Sequence, residues 1–566
     1  MPQSVAPAIL HVDLATAGMR RVAASPRLSR GEGGRALSMA LCDADSARRV
    51  AWDDADAPLC LAAGALAGCD LPGCGHVSLT FFSPRTGGAV TASLGGGLGH
   101  ALARAGIAAV VVVGRAPQPV GLVIEDGDVR LVPAGELAGL ATPARFDALA
   151  PCDAALVTGP AARAGAAFAT AVVDRWHDAG PTGVGLALAA KNLAYVAVSG
   201  TGRVAAADPE GLERARAAME RLVAAAPALA GPCGFARHGT AALVDLTHGR
   251  RMQPTDDFRA TYFPQTAPVN APALGKRFAA RGVACPGCSV PCRRVDAAGR
   301  LLPDMDALSH LTALLGLADA ELAVFARQYC LEQGLDPAGA AASLAAWATA
   351  RGKTPGVGLV REGLAALAAG DAWGREIEAA LSLAVKGVPL PAFDPRGAYG
   401  LALSLAVGTG GPDPWRGGCL AHELLRKPVA TDRFTFEGKA RAVVLGENAL
   451  AAAQSLGGCA YLSLAVTLEE WALALSAAAG APVAAGDLAA LGARVVCRER
   501  AQNMRQGLGP DADDLPAWFF SAPGTAGEGV AVPPLPRAAF LAARDKYRRL
   551  RGEGEIAAPR EAAWTP

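Results

Sequence analysis

Three cysteines, Cys285, Cys288 and Cys292, form a C-x2-C-x3-C run whose intervening residues include Pro and Gly. A disulfide would use two of these thiols and leave the third unpaired. A tetrahedral zinc site usually needs a second Cys or His pair at similar spacing, and none follows nearby. Three close thiolates completed by one distant cysteine is a common arrangement for a [4Fe–4S] cluster. The spacing therefore predicts such a cluster, and three unrelated core cysteines are the alternative.

The length and charge of the chain exclude several classes of protein. At 566 residues, with 52% hydrophobic and 19% charged residues, the chain is expected to form a few compact domains. Its formal net charge of +1 provides no long-range field for nucleic acid or an anionic membrane. The first residues lack the basic and apolar regions of a secretory leader, and the apolar runs fall short of a spanning helix. We therefore expect a cytoplasmic protein with no membrane insertion and no nucleic-acid partner.

Strand patterns fill the first part of the chain, and helical patterns follow from Asp208 onward. The β-rich runs are Val77–Phe82, Ala108–Val113, Leu122–Ile124, Val129–Val132 and Ala194–Val198. Helical patterns include 306–315, 320–333, 337–350 and 468–479. This distribution predicts four segments: a β-rich domain at 1–207, a helical domain with the cysteine run at 208–395, a second helical domain at 396–551 and a tail at 552–566.

Two glycine-rich passages lie in the β-rich part, at 93–99 and 180–185. Glycines before a helix let backbone N–H groups approach a phosphate closely. The first passage does not match the G-x-G-x-x-G pattern of dinucleotide-binding folds. A phosphate site and an ordinary tight turn therefore both remain open for these glycines.

Short motifs run in order along nearly the whole chain. They are Gly33-Gly34-Arg35, Ser83-Pro84-Arg85-Thr86-Gly87, Lys191-Asn192-Leu193, the cysteine run, Gly334-Leu335-Asp336, Arg416-Gly417-Gly418-Cys419 and Ser455-Leu456-Gly457-Gly458-Cys459. In this order they resemble the motifs of the tungsten-containing aldehyde ferredoxin oxidoreductases. The resemblance depends on the ordered series, since no single motif is decisive.

The resemblance implies an α+β fold with a β-rich N-terminal pterin-binding domain followed by two mainly α-helical domains. It implies a tungsten (or molybdenum) bis-pterin, a magnesium ion at the pterin phosphates, and a [4Fe–4S] cluster with Cys459 as its fourth ligand. The implied reaction is the two-electron oxidation of an aldehyde, or another oxo substrate, to a carboxylic acid, or the reverse. Electrons would pass to ferredoxin or a ferredoxin-like subunit, and a homodimer is compatible with the resemblance.

The resemblance also places cofactor-binding positions on this sequence. They are His76, Ser93, Gly95, Gly96, His177, Gly180, Gly183, Leu335, Asp336, Arg416, Gln454 and Gly458. Several of them depart from the family. His76 and His177 stand where the family has arginines, Ser93 where it has asparagine, and Gln454 where it has aspartate. Another family aspartate, a pterin hydrogen-bond acceptor, falls on Leu331, whose side chain cannot accept a hydrogen bond.

The catalytic positions depart as well. The family's catalytic glutamate falls on His310, its catalytic histidine falls on Leu420, and a nearby lysine falls on His422. Because imidazole titrates close to neutral pH, His310 and His422 are predicted to be catalytic. Replacement of arginine and lysine by histidine removes permanent positive charge where pyrophosphates would bind.

Three interpretations follow from these departures. In the first, the protein binds a metal–pterin in a remodelled pocket. In the second, it keeps the fold but has lost the metal–pterin and the aldehyde chemistry. In the third, it is an electron-transfer subunit in which only the iron–sulfur cluster works. The intact Arg416, Asp336, glycine turns and four cysteines favour the first.

Overall fold

The computed structural model describes residues 7–44, 49–427, 429–524 and 531–553, and it has an α+β architecture. Two β-sheets form most of the N-terminal part, and helices dominate after residue 208. This confirms the predicted β-rich N-terminal domain followed by helical domains. The finer boundaries of the domains stay a prediction, and most of the predicted tail lies outside the described residues.

The first sheet has six strands in the described residues, in the order β2-β1-β6-β3-β4-β5. Strands β1 and β6 are parallel, and the other neighbouring pairs are antiparallel. The central strands are buried on both faces, which is why they read as nearly continuous apolar runs. The strands are β1 (Ala8–Asp13), β2 (Gly18–Ala23), β3 (Leu59–Ala63), β4 (Val77–Phe82), β5 (Ala89–Leu94) and β6 (Ile107–Val113).

The second sheet also has six described strands, in the order β11-β10-β9-β12-β7-β8. Strands β12 and β7 are parallel, and the remaining pairs are antiparallel. Asp126, at a positive φ of 52°, forms the tight turn between β7 and β8 that Asp-Gly favours. The strands are β7 (Val120–Glu125), β8 (Asp128–Pro133), β9 (Ala154–Thr158), β10 (Ala171–Val173), β11 (His177–Asp178) and β12 (Leu193–Ser199).

Helices cover the two sheets and form the rest of the molecule. Those within the β-rich part are α1 (Gly34–Ala44), α2 (Leu98–Arg104), α3 (Thr142–Ala148), α4 (Pro160–Ala164) and α5 (Val184–Ala190). The later helices are α6 (Pro209–Ala225), α7 (Pro227–Ala230), α8 (Phe235–His238), α9 (Leu243–Gly249), α10 (Ala271–Arg277), α11 (Met305–Leu311), α12 (Ala320–Gln333), α13 (Pro337–Ala350), α14 (Val357–Ala369), α15 (Ala372–Ala379), α16 (Tyr399–Val407), α17 (Lys439–Ser455), α18 (Leu468–Ala479), α19 (Ala485–Arg505), α20 (Trp518–Ser521) and α21 (Arg537–Leu550).

Shorter elements connect these helices. Two hairpins lie in the helical part, formed by β13 (Arg281–Val283) with β14 (Arg293–Val295) and by β15 (Ala384–Val385) with β16 (Val388–Pro389). A π-helical turn covers Ala421–Leu425. Single 3-10 turns cover Pro26–Arg30, Gly135–Leu137, Thr240–Ala242, Ala267–Val269, Ala313–Leu315, Pro395–Gly397, Ala460–Leu464 and Pro510–Ala512. Within the described ranges, no helix combines the length and apolar character needed to cross a membrane.

Glycines allow the first sheet to touch the end of α17 backbone to backbone. A Cβ atom on Gly64 would lie 2.1 Å from the backbone nitrogen of Gly457. A Cβ atom on Gly34, whose φ is +41°, would lie 2.3 Å from the carbonyl oxygen of Gln454. Neither position tolerates a side chain without moving the backbone, so these glycines fix the contact between the two parts.

A buried ion pair joins α1 of the β-rich part to α19 of the helical part. The Arg35 guanidinium in α1 donates to both carboxylate oxygens of Glu499 in α19, each at 2.7 Å. Both side chains are 2% exposed. Burial alone would raise the pKa of Glu499, but the positive charges of Arg35 and Arg416 outweigh it and lower the pKa to about 2. The carboxylate is therefore ionised throughout the neutral range.

We predict that Glu499→Gln lowers the free energy of unfolding by about 3–5 kcal/mol, because it leaves the Arg35 guanidinium buried without a counter-charge. Urea unfolding at pH 7 measures this loss. A carboxylate with a lowered folded-state pKa stabilises the fold above its unfolded pKa. The difference between wild type and variant should therefore persist down to about pH 4 and shrink as the pH falls towards 2.

Glu125→Gln is the matched control, because Glu125 pairs with Arg130 on the surface, where both side chains are about half exposed. Its urea midpoint should equal that of wild type. Equal midpoints for the Glu499 and Glu125 variants would contradict a structural role for the buried pair.

Candidate functional site

A cavity of about 340 Å³ lies where the edge of the first sheet meets the helical part. Its walls come from strand β5, the loop after β11, the starts of α11 and α13, and the loops at 388–393 and 410–416. Many of the residues that the sequence predicted for the site line this cavity. They are His76, Ser93, Gly95, His177, Gly180, Asp336, Arg416, Gln454 and the four cysteines Cys285, Cys288, Cys292 and Cys459.

The four cysteines meet at one end of the cavity. Cys285, Cys288 and Cys292 lie in the loop that joins β13 to β14. Cys459 follows α17, and its backbone N–H donates to the carbonyl of Gly73 at 3.0 Å. Burial raises the pKa of the Cys459 thiol well above its usual value, and the charges of the other three thiols raise it further, as expected for near neighbours. The sequence separation between the run and Cys459 is thus closed by the contact of α17 with the sheet.

The spacing of these thiols differs from that of a mononuclear site. No group of three or more His, Cys, Asp or Glu side chains is arranged to hold a single metal ion in the part of the chain that the structure describes. The zinc alternative therefore gains no support. A four-iron cluster binds one cysteine at each iron, so it keeps its thiolates farther apart than a single ion does. Ligation by these four cysteines stays a prediction.

Two histidines, the half-buried His76 and the buried His177, lie beside Cys285. His76 Nδ1 is 3.1 Å from Ser93 Oγ, and His177 Nε2 is 3.3 Å from Cys285 Sγ. Burial, with the charge of Arg293, lowers the pKa of His76 to about 4 and that of His177 to about 3. Both imidazoles are therefore neutral at pH 7. Two positions where the family has arginine carry no positive charge here.

An ion-pair network lies next to the loop that carries Cys285, Cys288 and Cys292. Arg293, which follows the last cysteine of the run, donates to Asp304 at 2.8 Å. Arg327 also pairs with Asp178 and lies 3.8 Å from Asp304. Arg293, Asp178 and Asp304 line the cavity. The neighbouring Arg294 instead turns towards the carbonyl of Ala280.

Two further carboxyl groups face the cavity, each with a raised pKa. Asp306, in the first turn of α11, accepts a hydrogen bond from Ala392 N at 2.7 Å. Asp336, at the N-cap of α13, accepts one from Gly339 N at 2.6 Å. Burial, with neighbouring carboxylates, raises the pKa of Asp306 to about 7 and that of Asp336 to about 8. Each group can exchange a proton near neutral pH.

Arg416 and Gln454 line the cavity while being held from behind by protein groups. Arg416 donates to Thr409 Oγ1 at 2.5 Å and lies 3.6 Å from Glu499. The amide oxygen of Gln454 accepts from Arg35 at 2.8 Å. Gln454 therefore cannot offer that lone pair freely to a ligand, which distinguishes it from the aspartate that the family has there.

Four predicted cofactor positions do not line the cavity. Gly96 lies directly behind it, and its N–H donates to Cys285 Sγ at 3.3 Å. Gly183 is the N-cap of α5, at a φ of 79°. Leu335 is buried in the core, and Gly458 donates its N–H to the Ala453 carbonyl. Roles for these residues in cofactor binding stay predictions, as do those of the residues that do line the cavity.

The predicted catalytic histidines also lie outside the cavity lining. His310 is fully buried one turn after Asp306, and its Nε2 is 3.0 Å from the Leu390 carbonyl. His422 lies in the π-helical turn, with Nδ1 3.0 Å from the Val429 carbonyl. Leu420, at the family's catalytic histidine position, is a core residue. Catalytic roles for His310 and His422 remain predictions.

Sequence reasoning missed the acidic residues at the start of α11. Asp304 and Asp306 follow Pro303 at the start of α11, where Asp304 is the N-cap and accepts from Ala307 N at 3.1 Å. A D-x-D pattern at a helix start was the available signal, because the first turn places the second carboxylate beside the cap. The aromatic residues Trp415 and Tyr461, whose rings pack at 4.8 Å, were also missed.

Comparison with known proteins identifies the family of the chain. The family model for the aldehyde ferredoxin oxidoreductase N-terminal domain matches residues 9–200, and the model for domains 2 and 3 matches residues 214–359 and 356–563. The tungsten-containing aldehyde ferredoxin oxidoreductases of Pyrococcus furiosus and Thermococcus kodakarensis are each 27% identical, over 82% of this chain and 83% of theirs.

A solved structure has the same fold. The BamBC active-site complex of benzoyl coenzyme A reductase with 1,5-dienoyl-CoA matches 98% of this chain and 95% of its own, with a TM-score of 0.77 and 19% identity. That likeness concerns the fold alone. The family models span most of the chain, so the protein belongs to the aldehyde ferredoxin oxidoreductase family.

Proposed function

We propose that the protein oxidises an aldehyde to a carboxylic acid, or catalyses the reverse, at a tungsten or molybdenum bis-pterin in the cavity. Family membership supports an oxidoreductase. The observation that carries the finer proposal is the shared cavity. Four thiols lie at one end, and two carboxyl groups with pKa values near neutral lie on its wall. The proposed cluster ligands and the proposed proton-transfer groups thus line one cavity.

The thiols fit a [4Fe–4S] cluster, since four cysteines from two chain segments supply the donor set that such a cluster needs. The loop that carries three of them reaches the surface, because Pro286, Gly287 and Ser289 are exposed. An electron on the cluster would therefore lie close to solvent. This supports ferredoxin, or a ferredoxin-like subunit, as the acceptor in the proposed reaction.

Asp336 fits the ring edge of a pterin. Its carboxyl oxygens pair with no cation among the described residues, and such oxygens accept hydrogen bonds from ring N–H and amino groups. Gly95 lies beside Cys285 instead, since a Cβ atom there would lie 2.8 Å from the His177 ring and 3.4 Å from Cys285 Sγ. A bound metal–pterin would supply the two-electron redox chemistry. Ser93 and the loop at Gly180 are the proposed place for a magnesium ion.

Asp306 is the residue best placed to move the proton. Oxidation of an aldehyde by water releases two electrons and two protons, and the attacking water must lose a proton. The ionised Asp306 carboxylate accepts that proton, since it faces the cavity and its pKa is about 7. Its hydrogen bond from Ala392 N fixes the orientation of the carboxyl group.

Apolar side chains form another part of the wall. Leu229, Met305, Leu390, Phe393 and Trp415 line this side of the cavity. They would bury the hydrocarbon part of a substrate and keep bulk water away from the reacting carbon. Because the cavity is rich in carboxylates, an uncharged aldehyde suits it better than an anionic one.

A specific observation favours a second candidate, an electron-transfer protein without the metal–pterin. The permanently charged cations that line the described cavity are Arg293 and Arg416, and both already pair with carboxylates. His76 and His177 are neutral, so pterin phosphates would meet little free positive charge. In this candidate the thiols hold a cluster while the rest of the cavity has no redox role.

We predict that anaerobically purified wild type holds about four iron atoms per chain and that Cys459→Ser lowers the iron content and bleaches the cluster absorption. The change removes one of four proposed ligands without altering the cysteine run. Iron analysis and visible absorption measure the effect. Cys497→Ser, at an exposed thiol, is the control and should keep full iron. Full iron in the Cys459 variant would remove that residue from the ligand set.

We predict that Asp306→Asn lowers dye-linked aldehyde oxidation by roughly a hundredfold, the usual scale for loss of a general base. Burial raises the pKa of Asp306 to about 7, so wild-type turnover should rise as the pH increases through 7 and the carboxyl group ionises. The variant should lack that rise. Asp319→Asn, which alters a helix cap outside the cavity, is the matched control.

The same assay distinguishes a proton-transfer role of Asp306 from one of His310. Because the His310 ring contacts the Leu390 carbonyl rather than the cavity, His310→Ala should lose less than about tenfold. A larger loss there, with full activity in Asp306→Asn, would return the proton-transfer role to His310. If metal-replete protein is inert with aldehydes but acts on a cyclic dienoyl-CoA, the proposed aldehyde substrate is wrong.

A further inference from the structure

The Cys285 sulfur lies within hydrogen-bond distance of an imidazole nitrogen, which sets it apart from the other thiols of the site. His177 Nε2 and the Gly96 backbone nitrogen each lie 3.3 Å from Cys285 Sγ. Cys288 has a backbone contact, from Val290 N at 3.5 Å. Among the described residues, Cys285 is the one of the four cysteines with an imidazole nitrogen within hydrogen-bond distance.

The position of the imidazole is fixed by the fold. His177 is 6% exposed and lies in the two-residue strand β11, where it pairs with Val173 of β10. The next residue, Asp178, forms an ion pair with the fully buried Arg327. The ring can approach the sulfur because residue 95 is glycine, and a Cβ atom there would lie 2.8 Å from the ring carbon Cδ2.

The direction of the hydrogen bond follows from the chemistry of an iron-bound sulfur. A free thiol can donate its proton to an imidazole nitrogen. Once iron replaces that proton, the sulfur can only accept, so the contact persists only with the proton on His177 Nε2. Adding one electron to a cluster makes its sulfur ligands more negative, and hydrogen bonds to those sulfurs then become stronger. Such bonds therefore stabilise the reduced cluster and raise its reduction potential.

We propose that His177 sets the reduction potential of the cluster by donating its Nε2–H to the Cys285 thiolate. The proposal rests on the [4Fe–4S] cluster of the proposed function. His177 is a positioning residue in this account, since it acts on the cluster through Cys285.

An EPR-monitored redox titration of the cluster-loaded protein tests the proposal. His177→Leu removes the donor and should lower the equilibrium constant for reduction about tenfold, equivalent to about 59 mV for one electron. His177→Gln retains an N–H donor and should shift the potential less. His11→Leu, in β1 at the far side of the first sheet, is the matched control and should titrate as wild type does.

A second measurement tests the hydrogen bond even if His177→Leu does not bind the cluster. Pulsed EPR of reduced wild type labelled with ¹⁵N-histidine should show a nitrogen coupling that is missing from labelled His177→Gln of equal iron content. Absence of the coupling in wild type, or an unchanged potential in loaded His177→Leu, would overturn this inference alone. Wild type without any iron–sulfur EPR signal would overturn the proposed function as well.

Discussion

The backbone contact between the turn at Gly64 and the end of α17 is the constraint on which the site depends. It requires glycine at Gly64, where a Cβ atom would collide with the backbone of Gly457. The buried pair of Arg35 with Glu499 holds the same two parts together. Because Cys459 follows α17 directly, this contact also delivers the distant thiol to the cysteine loop. The position of Cys459 beside the cysteine loop and the packing of the β-rich part on the helical part therefore depend on the same few residues.

Charge is distributed unevenly around the cavity. The carboxyl groups of Asp178, Asp304, Asp306, Asp336 and Asp413 line it, while its two arginines are already engaged by carboxylates. Burial and like charges raise the pKa values of Asp306 and Asp336, whereas the charge of Arg327 outweighs burial and lowers the pKa of Asp178. The result is a cavity suited to proton exchange near neutral pH and to an uncharged substrate. The same distribution of charge weakens the binding of anionic groups such as phosphates.

The sequence predicted elements well where local signals agree. Helix Ala320–Gln333 has the predicted bounds because Asp319 caps its start and glycine ends it. Strand Ala154–Thr158 was missed because it is rich in alanine, which has a low β propensity. In the site, the cysteine spacing was informative on its own. The motif resemblance places a catalytic residue at His310. In the structure, the titratable side chain of α11 that lines the cavity is Asp306. Sequence spacing does not show which face of α11 lines the cavity.

Metal analysis of anaerobically purified protein tests the central claim most directly. Iron, tungsten, molybdenum and zinc are measured together on one sample after growth with both tungstate and molybdate. We expect about four iron atoms and about one tungsten or molybdenum atom per chain. Full iron without tungsten or molybdenum would contradict the proposed oxidation and leave electron transfer as the function. Zinc in place of iron would contradict the cluster itself.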